Sequence, residues 1–393
     1  MVRRSSKKTQ RRVALLIESS RAYAREVIRG IAQHNREHQN WLLEFTPRGL
    51  EEPPPAWLKS WHGDGILARV NDRRMANALR RKGLPVVDLR RLIRAQGIPR
   101  IGPDDAAACR LVWEHFRERG FGRFGFVGEP RGHHRAMDLR ADRFRQLVED
   151  AGLPYFEIQL DDVQTGDRWD KQCEQLRHWL KKLPLPIAVM ACNDDVGLRV
   201  LDACRRASLQ VPDNIAVAGV GNDDCLCDLS LPQLTSVHLN PQRIGYEAAA
   251  LLDRLMDGQI VEHPEYLIEP REIVPRMSTD VLAIEDNLVA EAVRFIRENA
   301  CKGIDVAVVC RHVCRSRGAL EPRFKTALGH TVHEEIQRVR LGRVRELLTT
   351  TDLPIKQIAR TSGFRYPEYL MRVFRQSTGK TLKEYRDTFG SRF

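Results

Sequence analysis

The sequence lacks a long apolar segment at its N-terminus, where the apolar run covers only Val13–Ile17. That run is too short for the hydrophobic core of a secretion signal and far too short to span a bilayer. Paired cysteine motifs are also missing: none of the nine cysteines stands in a C-x-x-C arrangement, and the closest pairs, Cys225/Cys227 and Cys310/Cys314, lack zinc-ligand spacing. We therefore expect reduced, partly buried thiols, no metal site and a cytoplasmic protein.

Motifs for catalysis and cofactor binding are missing as well. The chain contains neither G-x-x-x-x-G-K-[ST] nor G-x-S-x-G, and His133-His134 has no cysteine or carboxylate at ligand spacing. Residues 120–125 match G-x-G-x-x-G, yet they follow a predicted helix and run into a predicted strand, the reverse of the order that nucleotide binding requires. We interpret this segment as a turn, and we expect no cofactor and no enzymatic activity.

The net charge of +12 is concentrated at the two ends of the 393-residue chain, which is long enough for two or three domains. Residues 1–12 carry six basic and no acidic side chains, residues 13–285 carry 37 basic and 40 acidic ones, and residues 286–393 carry 21 and 12. A near-neutral body with a basic C-terminal domain indicates a ligand-binding body joined to a polyanion-binding module. Membrane-surface binding is the alternative, although it normally requires an amphipathic helix with an exposed apolar face. We expect residues 1–12 to form a disordered leader.

Short apolar strands alternate with helical stretches from Val13 to about Asp280, as in parallel α/β sheets. The alternation restarts near Arg123, which predicts two doubly wound halves. In open sheets of this type ligands bind beyond the carboxyl ends of the strands, so we expect a ligand cleft between the halves. The predicted strands are Val13–Ile17, Trp41–Phe45, Gly65–Ala68, Pro85–Leu89, Arg123–Val127, Tyr155–Leu160, Ile187–Cys192 and Ile215–Val220.

From about Glu285 onwards the pattern is helical throughout, which places a domain boundary near residues 280–286. Gly303, Gly329, Gly363 and Gly379 stand at predicted helix ends. The sequence thus predicts an α/β domain over residues 13–280 followed by an all-α domain over residues 281–393.

The most specific segment of the α/β region is Ala188–Asp224, which reads strand, Asn-Asp, helix, V-P-D turn, strand and G-x-G-N-D-D. Together with Leu231–Val237 and the helix Gly245–Met256, it resembles the LacI/GalR family and its periplasmic sugar-binding relatives, over most of residues 13–280. The resemblance implies a two-lobed, periplasmic-binding-protein-like (type I) sensor in which polar groups at strand ends bind sugar hydroxyls. The ligand-binding residues that it implies are Glu18, Ser20, Tyr23, Arg140, Asp194 and Asn222.

Several of these residues also have a purely structural interpretation. Asp194 could only cap the following helix, and Arg140 could be a surface ion-pair partner. Tyr23, which we expect to cover the apolar face of a pyranose, could instead belong to the core. Gly221 replaces an aspartate that is common in the family, so the hydroxyl pattern bound there differs.

Repressors of that family carry a helix-turn-helix before the first strand, where this chain has a dozen residues. Instead, residues 286–386 resemble the AraC family, and Gly379–Arg386 matches its closing G-x-[ST]-P-x-x-Y-R apart from the proline. The resemblance implies two helix-turn-helix units with recognition helices Ser316–Leu328 and Pro367–Thr378. Between them, His333–Leu348 is apolar on two sides, which predicts a buried strut. Such a strut would hold the recognition helices in successive major grooves on one face of double-stranded DNA, about 34 Å apart.

Exposed polar side chains of the two units are expected to contact guanine edges or phosphates. Two departures affect the first unit: Cys314 replaces the usual turn glycine, where a positive φ is often required, and Pro322 within the helix removes a hydrogen bond. We therefore expect the second unit to contribute more to base reading. The DNA-binding candidates are Arg315, Arg317, Glu321, Arg323, Lys325, Arg365, Tyr366, Glu368, Tyr369, Arg372 and Arg375, and the expected core residues of these helices are Leu320, Phe324, Leu370 and Phe374.

A LacI/GalR-like sensor without an N-terminal reader, joined to an AraC-type C-terminal one, resembles the regulators of xylose operons. Local matches are Ser278–Asp280, Ala300–Ile304 and Lys383–Asp387. The resemblance implies activation of sugar catabolic genes, with D-xylose or a related monosaccharide as effector. The expected partners are DNA, the sugar and a second copy of the chain, with a contact to RNA polymerase left open and no membrane.

Two other hypotheses remain open. An α/β enzyme acting on sugars or nucleotides, with the C-terminal helices serving assembly, would need an acid/base or nucleophile constellation, and the sequence offers none. A DNA-binding scaffold whose body no longer senses ligand would bind no monosaccharide.

Overall fold

The computed structural model describes residues 10–38, 41–49, 52–162, 168–260, 264–280, 284 and 286–389. The chain divides into two compact units: Met1–His115 with Gly122–Asp280, and Phe116–Phe121 with Val281–Phe393. The first unit is α/β and the second is helical.

The described residues form twelve β-strands and fifteen α-helices. The strands are β1 Arg11–Leu16, β2 Trp41–Phe45, β3 Gly65–Ala68, β4 Val86–Asp88, β5 Arg100–Pro103, β6 Phe124–Gly128, β7 Tyr155–Gln159, β8 Ile187–Ala191, β9 Ile215–Val220, β10 Thr235–His238, β11 Glu265–Ile268 and β12 Glu272–Val274. The helices are α1 Ala22–His38, α2 Arg73–Arg81, α3 Asp105–Arg117, α4 Arg135–Asp150, α5 Arg168–Leu180, α6 Asp194–Arg206, α7 Asp224–Leu229, α8 Pro241–Met256, α9 Asn287–Asn299, α10 Val306–His312, α11 Arg317–Leu328, α12 Val332–Thr350, α13 Ile355–Thr361, α14 Pro367–Thr378 and α15 Leu382–Phe389.

The strands of the first unit make two six-stranded sheets in the described residues, one for each lobe. Their orders are β11-β5-β4-β3-β1-β2 and β12-β10-β9-β8-β6-β7, and neighbouring strands run parallel except β10 with β12. Within these residues the chain passes between the sheets after β5, after β10 and again between β11 and β12. This is the predicted two-lobed, doubly wound architecture, in which each lobe is built from two separate segments of the chain.

Central strands are continuous apolar runs because helices cover both faces of each sheet. Every residue of β8 and β9 is buried, whereas every residue of the edge strand β7 is half-buried. On the first lobe, α1 and α8 pack against the sheet around Val27, Ile31 and Leu252.

The predicted leader needs a correction at its end. Residues 1–9 lie outside the described residues, but Arg11 and Arg12 are the first residues of β1. Charge pairing explains why the strand starts there: Arg11 forms an ion pair of 2.5 Å with Asp257, and the backbone N–H of Arg12 donates to Asp64 at 2.7 Å.

The second unit has two apolar cores, which share α12. Val332 and Ile336 of α12 pack in the first core with Leu320 and Phe324 of α11. Further along the same helix, residues 341–348 pack in the second core with α14. The strut prediction for this helix is therefore confirmed, as is the burial of all four predicted core side chains of α11 and α14.

Candidate functional site

A cavity of about 440 Å³ lies between the two lobes, where the carboxyl ends of strands from both sheets meet. Four of the six residues predicted to bind ligand line it: Ser20, Tyr23, Arg140 and Asp194. Glu18 and Asn222 are not among the lining residues.

Asp194 is the first residue of α6 and is buried. One carboxylate oxygen accepts a hydrogen bond from the Asp223 backbone N–H at 2.9 Å, and the other accepts one from the Ser236 hydroxyl. Burial raises the pKa of Asp194 to about 6. The helix cap is a different residue, because the Asn193 side chain accepts from the Val196 N–H at 2.8 Å. The alternative that Asp194 only caps α6 is therefore wrong.

The absence of a side chain at Gly221 is explained by Asp194. A Cβ built at this position would lie 2.8 Å from the carboxylate oxygen Oδ2 of Asp194, and the backbone φ there is +140°. A larger residue would need both a rearranged backbone and a displaced Asp194 carboxylate.

Arg140 belongs to a buried ion network rather than to a surface pair. Its Nε donates to Asp105 at 2.9 Å and its Nη1 donates to the Cys192 carbonyl at 2.6 Å. Asp105 also forms an ion pair of 3.3 Å with Arg91, whose Nε donates to Glu265 at 2.8 Å. The network joins residues of both lobes at the base of the cleft, which makes Arg140 a structural element as well as a lining residue.

Glu18, Tyr23 and Asn222 make contacts within their own lobes. Glu18 is buried and pairs with Arg69, whose guanidinium lies 5.5 Å from the centre of the Tyr23 ring. Burial raises the pKa of Tyr23 to about 12. Asn222 accepts a hydrogen bond from Arg276 at 2.9 Å. Glu18 and Asn222 thus support the loops that border the cleft.

Six cationic or imidazole side chains line the cleft without having been predicted from the sequence: Arg21, Arg25, Arg69, Arg90, Arg91 and His134. Arg69 directly follows β3, and Arg90 follows β4 by two residues. The rule that ligands bind beyond the carboxyl ends of parallel strands could have found these two arginines. His134 precedes α4, for which no comparable strand-end signal exists.

The turns of the two helix-turn-helix units differ in their strain. Cys314, between α10 and α11, adopts a φ of +51°, and Gly363, between α13 and α14, adopts +77°. The predicted need for a positive φ at Cys314 is therefore confirmed. Pro322 lies inside the continuous helix α11, and Ser316 stands at its N-cap without a side-chain capping hydrogen bond. The first recognition helix thus carries two local weaknesses.

Nine of the eleven DNA-binding candidates are exposed: Arg315, Arg317, Arg323, Lys325, Arg365, Tyr366, Glu368, Arg372 and Arg375. The other two are half-buried and bound within the unit. Glu321 accepts a hydrogen bond from the Val332 N–H at 3.3 Å, and Tyr369 is hydrogen-bonded to Gln337 of α12.

The two halves of the helical unit repeat a local motif fifty residues apart. Thr331 and Glu334 form a reciprocal capping box at the start of α12, and Thr381 and Glu384 form the same pair of hydrogen bonds before α15. Each box follows a glycine with positive φ. The second unit is thus a tandem pair of similar modules joined through α12.

No helix in the part of the chain that the structure describes is long and apolar enough to cross a membrane.

Comparisons with known proteins agree with this division. Three family models match: a XylR N-terminal domain over residues 12–96, a periplasmic binding protein-like domain over residues 113–279, and a helix-turn-helix domain over residues 309–388. Together they define a transcription regulator with a periplasmic-binding-protein-like sensor and a C-terminal DNA-binding domain.

Relatives extend over nearly the whole chain. The xylose operon regulatory protein of Escherichia coli (strain K12) is 32% identical over 96% of this chain and 97% of its own, and that of Haemophilus influenzae is 30% identical over 95% and 98%. The chain belongs to the family of xylose operon regulatory proteins. It is a sugar-responsive, DNA-binding transcriptional regulator and not an enzyme.

Similar solved structures include the following two. The structure of the xylose-binding transcription activator xylR superposes with a TM-score of 0.62 at 30% identity and covers 97% of this chain and 99% of that chain. The complex of the transcriptional regulator CelR with cellobiose has a TM-score of 0.55 at 23% identity, covering 69% and 86% respectively, and shows the fold of the sensor alone.

Proposed function

We propose that a monosaccharide binds in the cleft between the lobes and changes the affinity of the tandem helix-turn-helix unit for DNA. The observation that supports this most directly is the cleft itself, where polar side chains from strand ends of both lobes surround a cavity of about 440 Å³. Because both lobes contribute, a ligand that contacts them together favours one lobe arrangement over others.

D-xylose is the first effector to test, because the relatives are named for the xylose operon and one similar structure is described as xylose-binding. In this assignment Asp194 accepts hydrogen bonds from sugar hydroxyls, Tyr23 covers an apolar ring face and Arg140 donates from the base of the cleft. Ser20 lines the same cavity and adds a hydroxyl.

On DNA, α11 and α14 enter successive major grooves, and the exposed arginines of both helices supply the contacts. We further infer that the regulator works in the cytoplasm as a homodimer that binds paired sites, and that it activates sugar catabolic genes through a contact with RNA polymerase.

We expect monosaccharide binding to strengthen about tenfold between pH 5 and pH 7. With a pKa near 6, the carboxyl of Asp194 is mostly protonated at pH 5 and mostly ionised at pH 7. An ionised carboxylate accepts stronger hydrogen bonds from hydroxyl groups, so the sugar favours the ionised form and its binding near pH 6 releases a proton. Titration calorimetry with D-xylose at pH 5, 6 and 7 measures this.

The matched variants are Asp194→Asn, which carries no titrating group, and Asp213→Asn on an exposed turn. Asp194→Asn should flatten the pH profile and weaken binding at pH 7 by about 1–3 kcal/mol, while leaving DNA affinity without sugar nearly unchanged. Asp213→Asn should behave as wild type. A wild-type pH profile in Asp194→Asn would remove Asp194 from the effector site.

For DNA, Arg372→Ala should cost about 1–3 kcal/mol on the preferred site and relax the preference at one base. Arg372 is exposed on α14, where its guanidinium lies 5.3 Å from the centre of the Tyr369 ring, a contact that orients it. Arg323→Ala should weaken binding to all sequences alike, because Pro322 takes a place on α11 where a polar side chain could read a base, and we assign the arginines of α11 to phosphates. Selection of binding sites from random DNA with the full-length protein compares the two.

Wild-type affinity should also fall steeply as salt is raised, with a smaller salt dependence in Arg323→Ala. The assignment fails if Arg323→Ala changes the selected consensus while Arg372→Ala leaves it intact.

A further inference from the structure

The wall of the cleft is rich in arginine. Six arginines and three aspartates are among its lining residues. Arg91 and Arg140 are neutralised by the buried network around Asp105, and Arg69 by Glu18. The pairs that Arg91 and Arg140 form with Asp105 therefore stabilise the cleft and add little to its net charge.

Arg90 differs from these three arginines. No carboxylate of the described residues lies within 4.0 Å of its guanidinium, and its side chain donates to the neutral amide oxygen of Asn71 at 2.6 Å. Its Nε is buried without a hydrogen-bond partner. The neighbouring Asp88 is engaged elsewhere, because its carboxylate accepts backbone N–H groups of Val70, Arg90 and Arg91. Arg90 is half-buried, and its buried Nε is a donor whose desolvation is costly unless an acceptor, such as an anion, pairs with it.

Two further polar atoms in the wall are buried without a partner: Nε of Arg69 and Nδ1 of His134. His134 precedes the first turn of α4, and the first-turn residues Ala136 and Met137 also line the cleft. The positive end of the α4 dipole therefore adds to the positive potential of the same wall.

The titration of His134 agrees with this geometry. Burial lowers its pKa to about 3, and the next contributions are the charges of Arg90, Arg140, Arg69 and Arg21, all of which act in the same direction. The imidazole is therefore neutral at physiological pH and surrounded by guanidinium groups.

We propose that the natural effector is an anionic monosaccharide, whose carboxylate or phosphate binds Arg90, Arg69 and His134 while its hydroxyls bind Asp194. The polarity of the cleft supports this orientation: the aspartates lining it are Asp194, Asp195 and Asp223, all on the second lobe, whereas Arg69 and Arg90 follow strands of the first. An anionic group on the sugar would therefore be attracted to the arginines of the first lobe and repelled by the aspartates of the second. This inference rests on the proposed function, because it assumes that the cleft is the effector site.

The test is titration calorimetry on the full-length protein with neutral and charged members of matched pairs. The probes are D-xylose with D-xylonate, and D-glucose with D-glucuronate and D-glucose 6-phosphate. At least one charged sugar should bind about tenfold or more tightly than its neutral partner, since charge-assisted hydrogen bonds are the stronger ones. The advantage should shrink as salt rises. Preference for the acids identifies a sugar acid, and preference for the phosphate identifies a sugar phosphate.

Arg90→Gln should remove most of the charged sugar's advantage, lowering the affinity for the charged sugar about tenfold more than it lowers the affinity for D-xylose. Arg143→Gln, exposed on α4 and outside the cleft lining, is the matched control and should change neither. If D-xylose binds, Asp194→Asn weakens it, and no charged sugar binds more tightly than its neutral partner, the anionic effector is overturned and the proposed function stands. If no probe binds at all, both fail.

Discussion

Replacing Arg140 by alanine should lower the free energy of unfolding of the sensor unit by about 3–5 kcal/mol, because it removes one cation of a buried ion network and leaves the Asp105 carboxylate with Arg91 alone. Arg140 is 6% exposed, and its guanidinium holds both Asp105 and the Cys192 carbonyl. Chemical denaturation followed by circular dichroism measures the loss.

Arg143→Ala, on the exposed side of the same helix, is the control and should change stability by less than about 0.5 kcal/mol. A loss below about 1 kcal/mol in Arg140→Ala would show that the network does not stabilise the unit.

Gly363→Ala should destabilise the helical unit by about 3 kcal/mol or more. The added Cβ would lie 2.7 Å from the carbonyl oxygen of Ala300 and would also have to accept a φ of +77°. Because the atoms of Ala300 and Cys301 that it would meet are backbone atoms, the clash cannot be relieved by a side-chain rotation. Thermal unfolding of the full-length protein, with loss of DNA binding as the second readout, tests this.

Gly379 provides the control for conformational strain alone, since its φ of +71° is similar and no atom lies within 4 Å of an added Cβ. Gly379→Ala should cost only about 1 kcal/mol. Equal costs for Gly363→Ala and Gly379→Ala would contradict the steric argument.

The converse change, Cys314→Gly, should stabilise the first helix-turn-helix by about 1 kcal/mol, because it relieves a φ of +51°.

Short apolar runs were sufficient to predict several strands, both central and at a sheet edge. Trp41–Phe45, Gly65–Ala68 and Ile215–Val220 have the predicted bounds, and Pro367–Thr378 is the predicted helix. Hydrophobic periodicity and the residues at helix starts specify these elements locally, so their first and last residues can be predicted from the sequence.

Strands β5, β10, β11 and β12 were not predicted. For β5 and β12 the reason is that their sequences contain little strand signal. β5 reads Arg-Ile-Gly-Pro, and β12 has only three residues. β5 is completed by tertiary partners: it pairs with β11, which lies far away in sequence. Such pairing depends on the assembled lobe and leaves no local pattern.

The candidate site was predicted only in part for a related reason. Asp194 and Arg140 were located by resemblance to a family motif, which specifies sequence positions. The roles of Glu18 and Arg69 depend on a buried ion pair between two loops, and the isolation of Arg90 depends on which carboxylates fail to reach it. Neither property is visible before the loops are placed.

The shared helix α12 has a consequence for the DNA sequences that the regulator can recognise. Its 19 residues form a rod of about 28 Å, with one module packed against each half. If both modules bind DNA as proposed, a rod of fixed length and rotation requires the two groups of base pairs that they contact to keep one spacing and one helical phase. Inserting half a turn of DNA between these two groups would then place the second on the opposite face of the duplex, beyond the reach of the same chain. On this proposal, the length of α12 sets the spacing between the two halves of the DNA site.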